Sequence, residues 1–388
     1  MEMKKVRLGD IAEFANGLNF NKSAYHRGIK FIGVSDFKDY TIPQINTLSE
    51  VSVESLKDND YLKKDDIVFV RSNGNKDLVG RCMIIPNTKI QLLYSGFCIR
   101  CRFKDLSIVN PQYYLYFFKS PYFRKLLSNS SIGANIQNLS QSRLSQIEVY
   151  LPSLSIQDKI AAILSAYDDM IDNCNRQIAL LEEAAQRIYI NEVRQSTLEK
   201  TILSSIIKFK SGFAFKSSSF TTNGRYRLIT IKNVKDGIFD ETKFSYIEEL
   251  PQRIPSHCKL SNGDIVMSLT GDVARCCFII GDNNLLNQRV AKIETAFPNF
   301  SYLFLRDYKV HSTLCNLANG AAQQNLSPIQ AENKFFEMPS ILRIKEIDLI
   351  VSPYIEKLKS MNIIMQNLKY SRNILLPRLI SGKIEINA

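Results

Sequence analysis

Two loops of this chain hold the side-chain types that read base edges. Residues 71–81 (RSNGNKDLVGR) place Arg71, Ser72, Asn73, Asn75, Lys76 and Arg81 around a glycine hinge between two apolar runs. Arg can hold guanine O6 and N7 with two parallel hydrogen bonds, Asn can hold adenine in the same way, and Lys or Ser suits phosphate. Near an offset of 198 residues, positions 268–275 (SLTGDVAR) keep the strand, glycine turn and strand but offer Ser268, Thr270, Asp272 and Arg275. A polar hairpin tip with no ligand has the same composition, so each loop alone leaves both readings open. Two more places recur. Residues 19–27 (NFNKSAYHR), with Lys22, Ser23 and Tyr25, answer 214–220 (AFKSSSF), with Lys216 and Ser217. Residues 133–138 (GANIQN), with Asn135 and Gln137, answer 320–325 (GAAQQN), with Gln323 and Gln324; these amides would equally cap the turn that follows. Gln288 and Arg289, just ahead of a strand in the second half, complete the set.

Bond-making chemistry finds no comparable footing. The sequence contains no G-x-x-x-x-G-K-[ST] phosphate loop, no strand leading into G-x-G-x-x-G, no H-E-x-x-H and no G-x-S-x-G. An Asn/Asp-Pro-Pro-aromatic tetrapeptide is also missing, Ser120-Pro121-Tyr122-Phe123 being the nearest match. The acid pair Asp65-Asp66 falls in a turn before a strand, and Asp168-Asp169 is expected on the solvated face of a helix, so no catalytic residue is assigned. Cys98 and Cys101 form a single C-x-x-C without a second pair, and only His26, His257 and His311 are available, so no metal site is expected.

The elements that must position these loops are written twice. At an offset of 187 residues, Ile160, Leu164, Tyr167, Ile171, Cys174, Ile178, Leu181, Ala185 and Ile188 fall on Ile347, Val351, Tyr354, Leu358, Met361, Met365, Leu368, Arg372 and Leu375. Steps alternating four and three form the a/d seam of a coiled coil. The pattern predicts one helix over 157–193 and another over 343–376 that stops at Pro377; about 35 residues make a rod of roughly 50 Å. Because each helix follows its own copy, a two-fold relation would pair them antiparallel. Asp66-Ile67-Val68 answers Asp264-Ile265-Val266, and Leu8 with Gly17 answers Leu203 with Gly212. A repeat near 190 residues is a duplicated domain with its helix, far longer than a solenoid unit. Each copy reads as strand-rich: β-branched runs bounded by Gly, Asn and Asp, then a helical stretch. Residues 111–127 break at Ser-Pro, whereas 300–317 are expected to run unbroken.

The chain has 388 residues, 45% of them hydrophobic, and a formal charge of +12. Residues 1–152 carry +7 and residues 196–339 carry +4. Basic globular parts suit a polyanion, and solubility alone would account for the same charge. No apolar run reaches membrane-spanning length, and the N-terminal ten residues lack a secretory core, so a cytoplasmic protein with eight reduced cysteines and no membrane partner is expected.

These features together resemble the DNA-specificity subunit of Type I restriction-modification systems over nearly the whole chain. The resemblance rests on the two-copy layout, on Asp66-Ile-Val-Phe-Val-Arg-Ser-Asn-Gly ending in Leu78-Val-Gly80, and on Gly263-Asp-Ile-Val with Asn287-Gln-Arg-Val290. It also rests on the Asn-Leu-Ser turns that lead to Leu-Pro or Met-Pro, and on Leu375-Leu-Pro-Arg-Leu-Ile-Ser-Gly-Lys-Ile384. Ser155-Ile-Gln-Asp158 departs from the family's usual Glu-Gln pair. The resemblance implies an α+β fold: two similar α/β target-recognition domains, separated by two long antiparallel coiled-coil helices and pseudo-two-fold symmetric. The boundaries follow as domains over 1–152 and 199–339, with spacer helices over 153–198 and 340–388. Each domain would read half of an asymmetric bipartite site in double-stranded DNA. Two methylation subunits, which carry S-adenosylmethionine, would dock on the helices, and restriction subunits using ATP and magnesium would join them, leaving this chain without a cofactor of its own. A specificity chain of another restriction system, or a coiled-coil adaptor that reads no sequence, are the alternatives.

Overall fold

The computed structural model describes residues 4–21, 24–37, 41–75, 78–129, 138–318, 324–384 and 386. The chain divides into two compact units, Met1–Ile171 with Leu368–Ala388, and Asp172–Asn367. The division falls inside both long helices, so each unit owns part of each.

Unit 1 begins with β1 (Lys4–Arg7), a one-turn α1 (Leu8–Ile11) and β2 (Ala12–Asn16). There follow β3 (Ile29–Ile32), β4 (Glu50–Val51), β5 (Ile67–Val70), β6 (Cys82–Ile84), β7 (Leu92–Tyr94) and β8 (Cys98–Phe103). Helices α2 (Pro111–Lys119), α3 (Pro121–Asn129) and α4 (Gln141–Gln146) precede β9 (Glu148–Leu151), which pairs with β1 before the long α5 (Leu154–Arg194). The central sheet has the order β2-β8-β5-β6, and a smaller one the order β4-β3-β7. All four residues of β5 are buried because both faces of its sheet are covered: Ile67 and Phe69 enter one core, Val68 and Val70 another. The first core is closed by Ile160 and Leu164 of α5 together with Leu375, Leu376 and Leu379 of the last helix.

Unit 2 repeats this plan. It runs through β10 (Leu198–Ile202), β11 (Lys208–Ser211), β12 (Tyr226–Ile229), β13 (Val234–Lys235), β14 (Ile238–Phe239), β15 (Ser245–Ile247) and β16 (Lys259–Leu260). Then come β17 (Ile265–Ser268), β18 (Cys276–Phe278), β19 (Asn284–Leu286) and β20 (Val290–Glu294). Helices α6 (Pro298–Leu305), α7 (Tyr308–Leu317) and α8 (Pro328–Glu332) lead to β21 (Phe335–Pro339) and the long α9 (Ile341–Ile380). The sheet order β11-β20-β17-β18 matches β2-β8-β5-β6, and β10 pairs with β21 as β1 does with β9. Backbone demands explain several sequence matches. A Cβ on Gly17 would stand 2.2 Å from the Tyr94 carbonyl oxygen, and one on Gly212 would stand 2.2 Å from that of Asn287. Before β5 and β17 the chain turns through left-handed Asp65 and Gly263, and the next residue, Asp66 or Asp264, accepts the Lys63 or Ser261 N–H.

Two long helices are present, and the seam positions are buried or half-buried on both. Within unit 1, Asp168 of α5 meets Arg372 of α9; within unit 2, Glu192 of α5 meets Arg343 of α9, so segments of the two long helices pack together inside each unit. Three expectations need correction. The last helix does not stop at Pro377 but continues to Ile380, because the ring removes only one N–H donor while Leu376 and Leu379 gain burial in the unit 1 core. The helical stretch of the second copy does break, at Arg306-Asp307 and without proline: the Asp307 carboxylate accepts the N–H groups of Lys309 and Val310 and starts α7. Asp168 is not solvated. It is 9% exposed, accepts the Tyr116 hydroxyl at 2.7 Å and pairs with Arg372, while neighbouring Asp169 is exposed.

The long helices also orient the domain helices. In unit 1, the Asn110 side chain caps α2, and its own N–H donates to Gln157 of α5 at 2.8 Å. The start of α6 has Phe297 in the capping position and no side-chain cap of its own. Asp348 of α9 takes over, accepting the N–H groups of Asn299 and Phe300, each at 2.8 Å. Among the described residues, no helix is long and apolar enough to cross a membrane.

Candidate nucleic-acid interface

In both units the central strands end at one edge, where loops far apart in sequence are joined through backbone hydrogen bonds. In unit 1, the Arg71 N–H donates to the Phe97 carbonyl at 2.8 Å, and the Leu139 N–H donates to the Arg71 carbonyl at 2.8 Å. Ser72 and Asn138 form an antiparallel bridge, and Leu18 and Ser95 a parallel one. The exit of β5, the entry to β8, the turn after β2 and the Asn-Leu-Ser turn therefore lie side by side. Unit 2 builds the same frame: Leu269 N–H to Arg289 carbonyl (2.9 Å), Leu326 N–H to Leu269 carbonyl (2.8 Å), and bridges Thr270–Asn325 and Phe213–Asn287. The Gly271 N–H adds a bond to the Gln324 carbonyl at 3.1 Å.

On this frame the sequence candidates take distinct places. Arg71 is half-buried and donates one guanidinium N–H to the Gly96 carbonyl at 3.2 Å, which fixes its direction and leaves other donors of the fork to act outward. The Asn73 side chain accepts the Asn75 N–H at 2.8 Å, an Asx turn that shapes the tip. Arg81 closes the base of the loop, its carbonyl accepting the Val70 N–H at 2.9 Å. In unit 2, Thr270, Gln288, Arg289 and Asn325 line an open hollow at the edge. Gln288, Arg289 and Gln324 are exposed; Thr270 is half-buried with its hydroxyl enclosed. Asp272 and Arg275 pair with each other at 2.8 Å. Lys216 and Ser217 are exposed three and four residues beyond Phe213, and Tyr25 is exposed against the rings of Phe20 and Phe31. Lys22, Ser23, Lys76, Asn135, Gln137 and Gln323 lie outside the described residues.

Ser268 is a correction. It is 1% exposed, its hydroxyl donates to the Asp272 carbonyl at 2.6 Å and accepts the Arg275 N–H at 3.2 Å, so it closes the loop from inside and faces no ligand. Phe97, which the polar pattern leaves out, is 59% exposed at the position that Arg289 holds in unit 2. Its signal was present: Ser95-Gly96-Phe97 precedes β8 just as Asn287-Gln288-Arg289 precedes β20. A search for polar side chains alone passes over it.

Beneath the edge, ion pairs brace the strands. Arg102 donates to both oxygens of Asp66, and Lys292 meets Asp264 at 2.7 Å. The hydrogen bond to Asp66 raises the Arg102 guanidinium further above its ordinary value. Cys98 and Cys101 enter different cores on opposite faces of the sheet, so they cannot share a ligand. Burial pushes the Cys98 thiol up to about 12 and that of Cys101 well above its usual value. Among the described residues no three His, Cys, Asp or Glu side chains converge.

Residues 1–183 match the family model described as the Type I restriction modification DNA specificity domain. The chain is 25% identical over 303 residues to the Type I restriction enzyme MjaIX specificity subunit of Methanocaldococcus jannaschii, covering 71% of this chain and 69% of that one. It is 22% identical over 323 residues to the EcoKI specificity subunit of Escherichia coli K12, covering 75% and 68%. Among solved structures, the S subunit of a Type I restriction-modification system from M. genitalium aligns over 98% of this chain and 96% of its own, with a TM-score of 0.59 and 15% identity, which establishes a shared fold. With its duplicated strand edge and its paired long helices, the chain is similar to the specificity subunits of Type I restriction-modification systems, in its first 183 residues by family model and over nearly its whole length by fold.

Proposed function

We propose that this chain reads DNA sequence for a Type I restriction-modification complex, each unit taking one half of a bipartite target. One observation carries the reading: the two units build the same backbone frame at the same strand edge and top it with different side chains. Arg71, Asn73 and Phe97 crown the first edge; Thr270, Gln288 and Arg289 crown the second. A common frame suits one mode of approach to the double helix, and different crowns suit different bases, so the target is asymmetric. Basic charge on both globular parts supports phosphate contact around each half-site.

The long helices serve as the spacer and as the docking surface for two methylation subunits, with restriction subunits added to that core. S-adenosylmethionine belongs to the methylation subunits, and ATP with magnesium to the restriction subunits; this chain contributes recognition in the cytoplasm and performs no catalysis. The test is single-molecule sequencing of methylated adenines in cells that express this chain with its neighbouring methylation subunit. A bipartite, asymmetric motif that disappears when the chain is deleted is expected. With the methylation subunit shown to be active, the absence of any chain-dependent motif would overturn the reading in favour of an adaptor.

A further inference from the structure

The hydrogen-bonded pair at the centre of each edge carries one arginine and one apolar residue, in opposite order. In unit 1, Arg71 stands at the exit of β5 and Phe97 at the entry to β8; in unit 2, Leu269 stands at the exit of β17 and Arg289 at the entry to β20. The pairing is the same, since the N–H of the first residue donates to the carbonyl of the second in both units. Accessibility differs: Leu269 is 4% exposed and offers nothing outward, whereas Phe97 is 59% exposed. The Gly96 N–H donates to the Leu18 carbonyl at 2.6 Å and the Cys98 N–H to the Ser95 carbonyl at 2.8 Å, so the turn that carries Phe97 is held in place, and a Cβ on Gly96 would stand 2.1 Å from Asn19 Oδ1. A large ring at a held tip beside a cation, on the frame where the other unit shows arginine, is placed to touch what that arginine touches.

We infer that positions 97 and 289 are equivalent specificity-determining positions. Phe97 covers the C5-methyl group of a thymine in its half-site, and Arg289 holds a guanine in the other. The chemistry follows from the major groove, where thymine is the only base that presents a methyl and guanine the only one that presents two acceptors to a forked donor. This inference rests on the sequence-reading function proposed above.

The experiment uses the complete complex with its methylation subunits and synthetic duplexes carrying the motif found by methylation sequencing. Each thymine of the half-site assigned to Phe97 is replaced in turn by deoxyuridine, which lacks only the methyl. One replacement is expected to weaken wild-type binding by about three- to fivefold, the effect of one buried methyl group. Phe97→Ala is expected to bind the thymine and deoxyuridine duplexes equally, and Phe97→Arg to move the preference at that base to guanine. Arg289→Phe should lose guanine in the other half-site alone. Thermal unfolding of each variant checks that the exposed substitutions leave the fold intact. Indifference of the wild type to every deoxyuridine overturns the inference, as does equal weakening of target and scrambled DNA by Phe97→Ala. In both cases sequence-specific binding by the wild type remains, whereas its loss altogether would instead overturn the reading beneath.

Discussion

Unit 1 and unit 2 keep the same residues where the backbone must close and diverge where side chains meet something else. Gly17 and Gly212 lie against the same pair of backbone carbonyls, Tyr94 and Ser95 in unit 1 and Leu286 and Asn287 in unit 2, and Asp66 and Asp264 tie the same turn. At the edge, the order of arginine and apolar residue is reversed between them. Against the long helices a second divergence appears. Unit 1 joins buried Tyr116 and Asp168 to half-buried Arg372; positions related by 187 residues in unit 2 are Leu303, Ile355 and Ala185, all within its apolar core. Unit 2 keeps an ionic cluster too, but on Glu182, Arg306 and Tyr302. One frame therefore tolerates either polar or apolar filling in its core, while its edge carries the groups that distinguish the two copies.

The core divergence yields the largest expected effect. Asp168→Ala would leave Arg372 and the Tyr116 hydroxyl without their shared carboxylate, and is expected to cost unit 1 roughly 3–5 kcal/mol, measured by chemical denaturation. The triple variant Tyr116→Leu, Asp168→Ile, Arg372→Ala carries unit 2's own residues, and should recover most of that loss if the two frames are equivalent. A triple variant as unstable as Asp168→Ala would break the comparison. The edge divergence comes next: Arg71→Ala is expected to cost about 1–3 kcal/mol on the target and relax base choice in one half-site. Equal weakening on target and scrambled duplexes in a binding titration would reduce Arg71 to a phosphate contact. Ser268→Ala is expected to have the smallest effect, lowering the stability of unit 2 by about 1 kcal/mol without altering base choice. A changed motif would return Ser268 to the reading surface.

Periodicity made the long helices legible, because a/d spacing survives every change of residue within the seam. The duplication was legible through glycine and aspartate, whose places are dictated by backbone geometry. Side-chain fate was harder to read. Ser268 and Asp168 are polar residues in sequence positions that suggest water, yet a loop carbonyl and an arginine from a distant helix draw them inside. Pro377 signals a stop, but burial of Leu379 outweighs one missing donor. Phe97 was hidden by the opposite error, an apolar residue that the fold leaves outside.

The central claim is that each unit governs one half of the target. Methylated-adenine sequencing of cells expressing Arg71→Ala or Arg289→Ala, beside the wild type, tests it most directly. Relaxation confined to one half of the motif by the first substitution, and to the other half by the second, is the predicted result. Relaxation of the same half by both, or of neither while the wild-type motif persists, would contradict it.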